Sequence, residues 1–130
     1  MIQPGKTFSH GYIIDDSVYQ GFINIFLDRN PLHTSIEFAK KKGFISTVMH
    51  GNILNGFLSH FIGECLPTKN VIIHSQEIHY LKPVYLNDAL ELKVIVLDFF
   101  ESVKTVEFKF HFNNQFKMKV AKGKFSIGLI

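Results

Sequence analysis

The sequence lacks a second cysteine: Cys65 is the single cysteine among its 130 residues. An internal disulfide is therefore excluded, and the chain is compatible with a reducing compartment. The N-terminus also lacks a charged lead followed by an apolar block, so the sequence predicts no secretory signal. From these two absences we expect a cytoplasmic protein.

Long apolar runs are missing as well. The longest apolar stretch with helical spacing, residues 49–66, is interrupted by polar side chains at Asn52, Asn55, His60 and Glu64. A membrane-spanning helix needs about 20 consecutive, predominantly apolar residues. We therefore expect no membrane partner.

Concentrated charge and regular metal-ligand spacing are also absent. The net charge is only +3, and the lysines are dispersed apart from the run 40–42, so the sequence does not predict a nucleic-acid partner. The histidines outside the segments discussed below lack the spacing of zinc ligands, so we expect no metal site. With 46% hydrophobic residues and no repeats, residues 1–130 are expected to form a single domain. A chain of this length is too short for a separate substrate domain, so a site in it is expected to borrow walls from a second subunit.

The hydrophobic pattern predicts an α+β fold. A first strand at 6–14 precedes a helix that Asp15 or Asp16 caps, and residues 28–33 follow as ordered coil. A capping box at 34–37 begins a short helix that ends at Gly43, and a long apolar helix covers 49–66. Period-two patterns then predict four strands, with a hairpin turn at Asn113-Asn114, over residues 71–82, 90–99, 103–112 and 116–127.

The candidate chemistry lies between the first two helices. Asp28 and His33 are five residues apart, a span of roughly 17 Å if fully extended, so the chain must curl to bring both to one water. Pro31 and Asn30 favour such a curl, because proline fixes its own φ and asparagine bonds to nearby backbone. The pair is suited to activating a water. Alternatively, Asp28 ends the preceding helix and His33 bonds only to backbone.

This segment resembles the MaoC-like (R)-specific enoyl-CoA hydratases. Their signature is Asp-x-Asn-Pro-aliphatic-His followed, after five residues, by a small residue, and it is matched by Asp28, Asn30, Pro31, Leu32, His33 and Ala39. The resemblance continues at His50-Gly51 and over residues 80–85, and it covers most of 8–98. Leu27 and Asn87 stand where the family usually has glycine.

The resemblance implies a hot-dog fold, in which an antiparallel sheet curls around the long helix. It also implies a homodimer or higher homo-oligomer that hydrates trans-2-enoyl-CoA to the (R)-3-hydroxyacyl-CoA. No cofactor is implied beyond the coenzyme A or phosphopantetheine that the substrate carries. In the family's mechanism, Asp28 is the main base, His33 positions the water, and the Gly51 N–H binds the thioester oxygen.

Substrate-binding roles are predicted for four further residues, Asn30, His50, Asn52 and Lys82. His50 either lines the site or caps the helix, and Asn52 either approaches the thioester or serves packing. Lys82 either meets a pantetheine phosphate or is solvated surface. Two other functions remain open: a 3-hydroxyacyl dehydratase acting on acyl carrier protein, and a non-catalytic protein that binds acyl thioesters.

Overall fold

The computed structural model describes residues 2–130 and confirms the α+β class. Its helices are Asp16–Phe26 (α1), Pro31–Thr34 (α2), Ile36–Lys41 (α3) and Asn52–His60 (α4), the last continued by a π-helical turn, Phe61–Cys65. Its strands are Thr7–Ile13 (β1), Val71–Tyr80 (β2), Ala89–Phe100 (β3), Thr105–Asn113 (β4) and Lys119–Leu129 (β5).

The strands form one antiparallel sheet in the order β1-β3-β4-β5-β2. Burial along β3 alternates strictly at its start, because successive side chains point to opposite faces of a strand. The apolar side chains of β3, β4 and β5 share one face, which forms the wall of the core. The other face is polar, and β1 and β2 are the edge strands.

Helix α4 lies against the apolar face of this sheet. Ile53, Leu54 and Leu58 are buried, as are Phe61 and Ile62 in the π-helical turn, and all five belong to one core with the sheet. Apolar side chains cover a wide part of the circumference of α4, as expected for a helix that packs into the curve of a sheet. Within residues 2–130 no helix is long and apolar enough to cross a membrane.

The predicted long helix begins later than the sequence indicates. The Met49 N–H donates to the Val84 carbonyl at 2.9 Å, which ties the preceding segment to the chain after β2 and delays the first helical turn to Asn52. At the other end Leu66 is extended, with ψ 157°, as expected for a residue before proline. The predicted helix of 49–66 is therefore wrong at its start and nearly right at its end.

Two local predictions need correction. The segment 28–33 was expected to be coil, but Pro31 begins the short helix α2, which the Asn30 side chain caps by accepting from the Leu32 N–H at 2.9 Å. The capping residue of α3 is Ser35 rather than Thr34, since the Ser35 hydroxyl accepts from the Phe38 N–H at 3.1 Å. Together these caps fix the direction in which His33 leaves the chain.

The hairpin between β4 and β5 is wider than the predicted Asn113-Asn114 turn. Five residues, 114–118, connect the strands, and the Asn114 side chain accepts from the backbone N–H groups of Phe116 and Met118. Lys117 has a φ of 59° within this loop. Asn114 therefore stabilises the loop from the first position of the loop and does not lie at the centre of a two-residue turn.

Leu27 and Asn87 occupy left-handed backbone positions, with φ of 61° and 70°. Leu27 ends α1, and its N–H donates to the Ile23 carbonyl at 2.7 Å. Glycine is favoured at such helix ends because a Cβ is disfavoured there. Leucine and asparagine therefore stand at two positions where the sequence resemblance expects glycine and where the backbone conformation favours it. Asparagine tolerates the conformation better than leucine does.

Candidate active site

A cleft of about 420 Å³ opens at the start of α4, between the segment after α1 and the segment after β2. Every residue that the sequence predicts for the site, except Asn30, lines it. Asn30 lies outside and acts through the cap of α2. The lining residues are Phe22, Asp28, His33, Val48, Met49, His50, Gly51, Asn52, Tyr80, Lys82, Pro83 and Val84.

The His33 ring is fixed by the backbone beside it. Its Nδ1 lies 2.7 Å from the Val48 carbonyl oxygen, so Nδ1 carries the proton and donates it to that carbonyl. The Tyr19 hydroxyl donates to the His33 carbonyl at 2.6 Å and holds the backbone of the same residue. In the neutral imidazole, Nε2 is therefore the acceptor, and it faces the cleft.

The Asp28 carboxylate lies opposite that nitrogen. Its Oδ2 is 3.8 Å from His33 Nε2, while its Oδ1 accepts from the Asn30 N–H at 3.2 Å. The separation of 3.8 Å is too long for a direct hydrogen bond but admits one water in contact with both groups. Since both groups are acceptors, such a water would donate both hydrogens and keep its lone pairs free. This arrangement is suited to presenting a nucleophilic water.

His50 packs beneath this pair. Its ring stacks on the His33 ring with centroids 3.9 Å apart, and its Nε2 donates to the Asp28 carbonyl at 2.8 Å. The side chain is only 2% exposed, and Nδ1 meets no partner among the described residues. Of the two predicted roles, lining the site is the one that this geometry supports. His50 also holds Asp28 and His33 at a fixed spacing.

Asp28, His33 and His50 each offer one potential metal-ligand atom, and these atoms lie within 4.8 Å of one another. Nitrogen and oxygen ligands of zinc must converge on one ion at about 2.0–2.2 Å. The His33 and His50 rings stack on one another, and His50 Nε2 is already engaged with the Asp28 carbonyl. The expectation of no metal site stays a prediction.

Gly51 immediately precedes α4, at the positive end of the helix dipole. No hydrogen bond of its N–H is found within residues 2–130, so this donor is free to meet a ligand. A Cβ at Gly51 would lie 2.9 Å from two ring atoms of Tyr80. Glycine is thus required for the aromatic ring to lie across the helix start.

Tyr80 in turn belongs to a polar network along α4. Its hydroxyl lies 3.4 Å from Asn52 Oδ1, and burial raises the pKa of this phenol. Asn55 donates to Asn52 Oδ1 at 3.0 Å and accepts from the Gln76 amide at 3.1 Å. Asn52 therefore lines the cleft and also takes part in packing, while its approach to a thioester stays a prediction.

Lys82 lies at the outer end of the cleft, next to Pro83. Its backbone N–H donates to the Val120 carbonyl at 3.2 Å, which holds the segment against β5 after β2 has ended. Among the described residues no carboxylate lies within 4.0 Å of its ammonium group. Lys82 therefore lines the cleft with an ammonium group that no carboxylate of the described residues pairs with.

A larger and mostly apolar cavity of about 690 Å³ adjoins the cleft. The two share Phe22, Asp28 and Asn52 as walls, so they form one path past the Asp28–His33 pair. Apolar side chains of α1 and α4 supply most of the remaining lining, namely Val18, Ile25, Phe26, Ile53 and Phe57. The path offers a chain-shaped apolar ligand room beyond the polar pair.

Sequence reasoning missed several residues of this site. Val48 contributes only its backbone carbonyl, which accepts from His33. The Tyr19 hydroxyl donates to the His33 carbonyl, fourteen residues further along the chain. Neither role leaves a pattern in the sequence. Phe22 of α1 lines the cleft but lies outside the signature segment. Tyr80 lies in the segment that resembles the family, but its contact with Gly51 arises only in the folded chain and leaves no signal in the sequence.

A protein-family model described as MaoC like domain matches residues 12–128. Among curated proteins, the chain is 35% identical over 85 residues to a 3-hydroxybutyryl-CoA dehydratase from Methylorubrum extorquens. That alignment covers 65% of this chain and 54% of the relative. An (R)-specific enoyl-CoA hydratase from Rhodospirillum rubrum is 28% identical over 108 residues, which cover 83% of this chain and 75% of the relative. The chain thus spans about half of the first relative and three quarters of the second.

Among solved structures, the (R)-hydratase from A. caviae involved in PHA biosynthesis superposes with a TM-score of 0.90 at 22% identity. The superposition covers 99% of this chain and 98% of that one. At this identity the likeness concerns the fold alone, and it confirms the hot-dog fold that the sequence resemblance implied.

Proposed function

The chain belongs to the MaoC-like domain family, and from that premise we propose that it is a hydro-lyase of acyl thioesters. It adds water reversibly to a trans-2-enoyl thioester and forms the (R)-3-hydroxyacyl thioester. The observation that carries this proposal is the 3.8 Å gap between Asp28 Oδ2 and His33 Nε2. Both atoms are acceptors on the wall of a cleft that leads into an apolar cavity.

The proposed reaction uses that gap to hold the attacking water. The water oxygen forms a bond to C3 of the enoyl group while Asp28 accepts one of its protons. The electron pair of the C2–C3 double bond moves toward the thioester carbonyl and forms an enolate. C2 then takes a proton from the Asp28–His33 pair, with His33 Nε2 positioning the water and sharing the proton delivered. One water is thereby added, with its hydroxyl on C3 and a hydrogen on C2.

The enolate oxygen needs a donor, and we assign the Gly51 N–H to this role. It lies at the positive end of α4 and has no hydrogen bond within residues 2–130. Loss of a comparable oxyanion donor costs about 10²–10³ in turnover in other enzymes. Placing the carbonyl there directs C3 toward the water between Asp28 and His33.

The cleft and the apolar cavity indicate where the rest of the substrate would lie. The acyl chain extends from the polar pair into the apolar cavity between α1 and α4. The pantetheine arm leaves past Tyr80 toward Lys82, whose ammonium group is suited to a phosphate. The substrate carries coenzyme A or phosphopantetheine itself, and we propose no metal or redox cofactor.

We also propose a homodimer, because β2 is an edge strand that exposes apolar side chains. Ile72 is 52% exposed and Ile73 37% exposed. Pairing with a second copy would cover both the open backbone groups and this apolar surface. Light scattering after size exclusion tests the proposal, and a monomer at micromolar concentration would contradict it.

The activity is tested by following loss of enoyl-thioester absorbance across acyl lengths, with substrates on coenzyme A and on acyl carrier protein. Chiral analysis of the product should give the (R)-3-hydroxyacyl thioester. Faster turnover on the carrier protein would identify a dehydratase of carrier-bound chains. Binding of the thioester without turnover on either carrier would identify an acyl-binding protein and refute the proposal.

A further inference from the structure

The outer face of the sheet carries a third cavity, on the side opposite α4. It is a concavity of about 630 Å³ between the outer side chains of β1, β3, β4 and the start of β5. Its polar lining consists of two hydroxyl groups, those of Thr7 and Ser9, and five ionisable side chains, Glu91, Lys93, Lys109, His111 and Lys119. Nothing in the proposed hydration uses these residues, since the sheet separates them from the Asp28–His33 pair.

Positive charges face one another across neighbouring strands of this surface. Lys93 of β3 pairs in register with His111 of β4, which pairs with Lys122 of β5. One row away, Lys109 pairs directly with Lys124. Like charges directly opposite one another on a sheet are destabilising. Lys109 and Lys124 therefore repel one another, and an anion bound beside Lys109 would offset this repulsion.

Within the lining of the concavity, acidic groups do not balance the lysines. Glu91 is the only carboxylate that lines the concavity, and it lies 3.6 Å from the Lys93 ammonium group. Lys109 and Lys119 have no carboxylate within 4.0 Å among residues 2–130. The three lysines and one glutamate give the lining a net charge of +2 when His111 is neutral.

His111 reports the resulting potential. Burial lowers the pKa of its imidazole, and the ammonium groups of Lys119, Lys93 and Lys109 lower it further, whereas Glu91 opposes them. The charges that face this ring from β3, β4 and β5 are thus predominantly positive. Burial is the first cause of this lowering, and the lysines add to it because their ammonium groups lie near the ring.

We infer that this concavity binds a ligand carrying two or more phosphate charges. The ammonium groups of Lys93, Lys109 and Lys119 neutralise the phosphates, and the Ser9 hydroxyl at the rim offers a further hydrogen-bond donor. The volume of about 630 Å³ admits either an inorganic diphosphate or the diphosphate of a nucleotide. The two sources share the recognised chemistry and are separated by the experiment.

The test titrates the full chain with inorganic pyrophosphate and, separately, with ADP while the His111 imidazole resonances are followed by NMR. Saturable binding should shift these resonances and raise the pKa of His111, because the anion offsets the surrounding ammonium groups. Binding of pyrophosphate alone would identify an inorganic ligand, and tighter binding of ADP would identify a nucleotide. Absence of a saturable shift with both probes would overturn the inference.

Matched variants separate the concavity from the net charge of the chain. Lys109→Gln/Lys119→Gln should weaken binding about four- to twenty-fivefold, since each exposed charge contributes roughly two- to fivefold. Lys40→Gln/Lys42→Gln removes the same charge from exposed residues at the end of α3, which do not line the concavity, and it should change the dissociation constant less than about twofold. Equal losses in the two variants would show unspecific attraction and overturn the inference.

Discussion

Replacing Gly51 by alanine probes the proposed oxyanion donor and its neighbour Tyr80 together. The backbone of Gly51 is right-handed helical, with φ −58° and ψ −36°, so alanine fits the chain without backbone strain. The new methyl group would nevertheless lie 2.9 Å from Cε1 and Cζ of Tyr80 and 3.3 Å from its hydroxyl. The tyrosine ring must move, because such contacts are closer than van der Waals distance.

The cost of that movement to stability should be small. Tyr80 is 50% exposed, and its hydroxyl makes two long contacts, one of 3.4 Å to Asn52 Oδ1 and one of 3.5 Å to Asn55 Nδ2. We expect the free energy of unfolding to fall by about 1 kcal/mol or less, because a half-exposed side chain can relax. Turnover should fall much further, by about 10²–10³, since the methyl group occupies the approach of the thioester oxygen.

A second variant distinguishes the two effects. Truncation of the ring in Gly51→Ala/Tyr80→Ala removes the clash, so the alanine at position 51 should cost no stability in that background, as a double-mutant cycle in urea would show. Turnover should not return, because the methyl group remains beside the N–H. Measurement of crotonyl-CoA hydration and urea unfolding on one preparation checks both. Wild-type hydration by Gly51→Ala would refute the placement of the carbonyl.

Three further predictions concern stability. Leu27→Gly should raise the free energy of unfolding by about 0.5–1 kcal/mol in urea, because Leu27 has a φ of 61° that disfavours a Cβ; a decrease would contradict this. Asn30→Ala should lower it by about 0.5–2 kcal/mol through loss of the α2 cap, and an unchanged urea midpoint would show that the cap contributes little. The third prediction concerns the pH dependence that His111 contributes. Its pKa is lowered in the folded chain, so the unfolded chain binds the proton first as pH falls. The free energy of unfolding therefore decreases below about pH 6.5. His111→Gln should therefore lose less stability than wild type between about pH 7.5 and about pH 5, and equal losses would contradict the burial and lysine effects.

The elements that the sequence predicted best are those with a strong local pattern. The alternation in β3 and β4 and the apolar face of α4 follow directly from side-chain periodicity. The start of α4 could not be predicted, because the bond from Met49 to Val84 joins residues 35 positions apart. The helical turn α2 was also missed, although Asn30 and Pro31 are good residues for a helix start.

The site residues also differ in whether a local sequence pattern predicts them. Asp28 and His33 were predicted as a pair because their signature is local in sequence, and the structure brings them within 3.8 Å. Asn30 belongs to the same signature but serves the cap of α2 rather than the cleft. The carbonyl of Val48 and the ring of Tyr80 could not be assigned, since their roles arise only when distant segments pack together.

The most direct test of the shared water is the turnover of Asp28→Asn, His33→Ala and the double variant with a trans-2-enoyl-CoA substrate. Each single change should lower turnover by at least about 10²-fold while the protein stays folded. The double variant should lose far less than the product of the two single losses, because both residues act on one water between Asp28 Oδ2 and His33 Nε2. Multiplicative losses, or a single variant that retains more than half of wild-type turnover, would contradict the account.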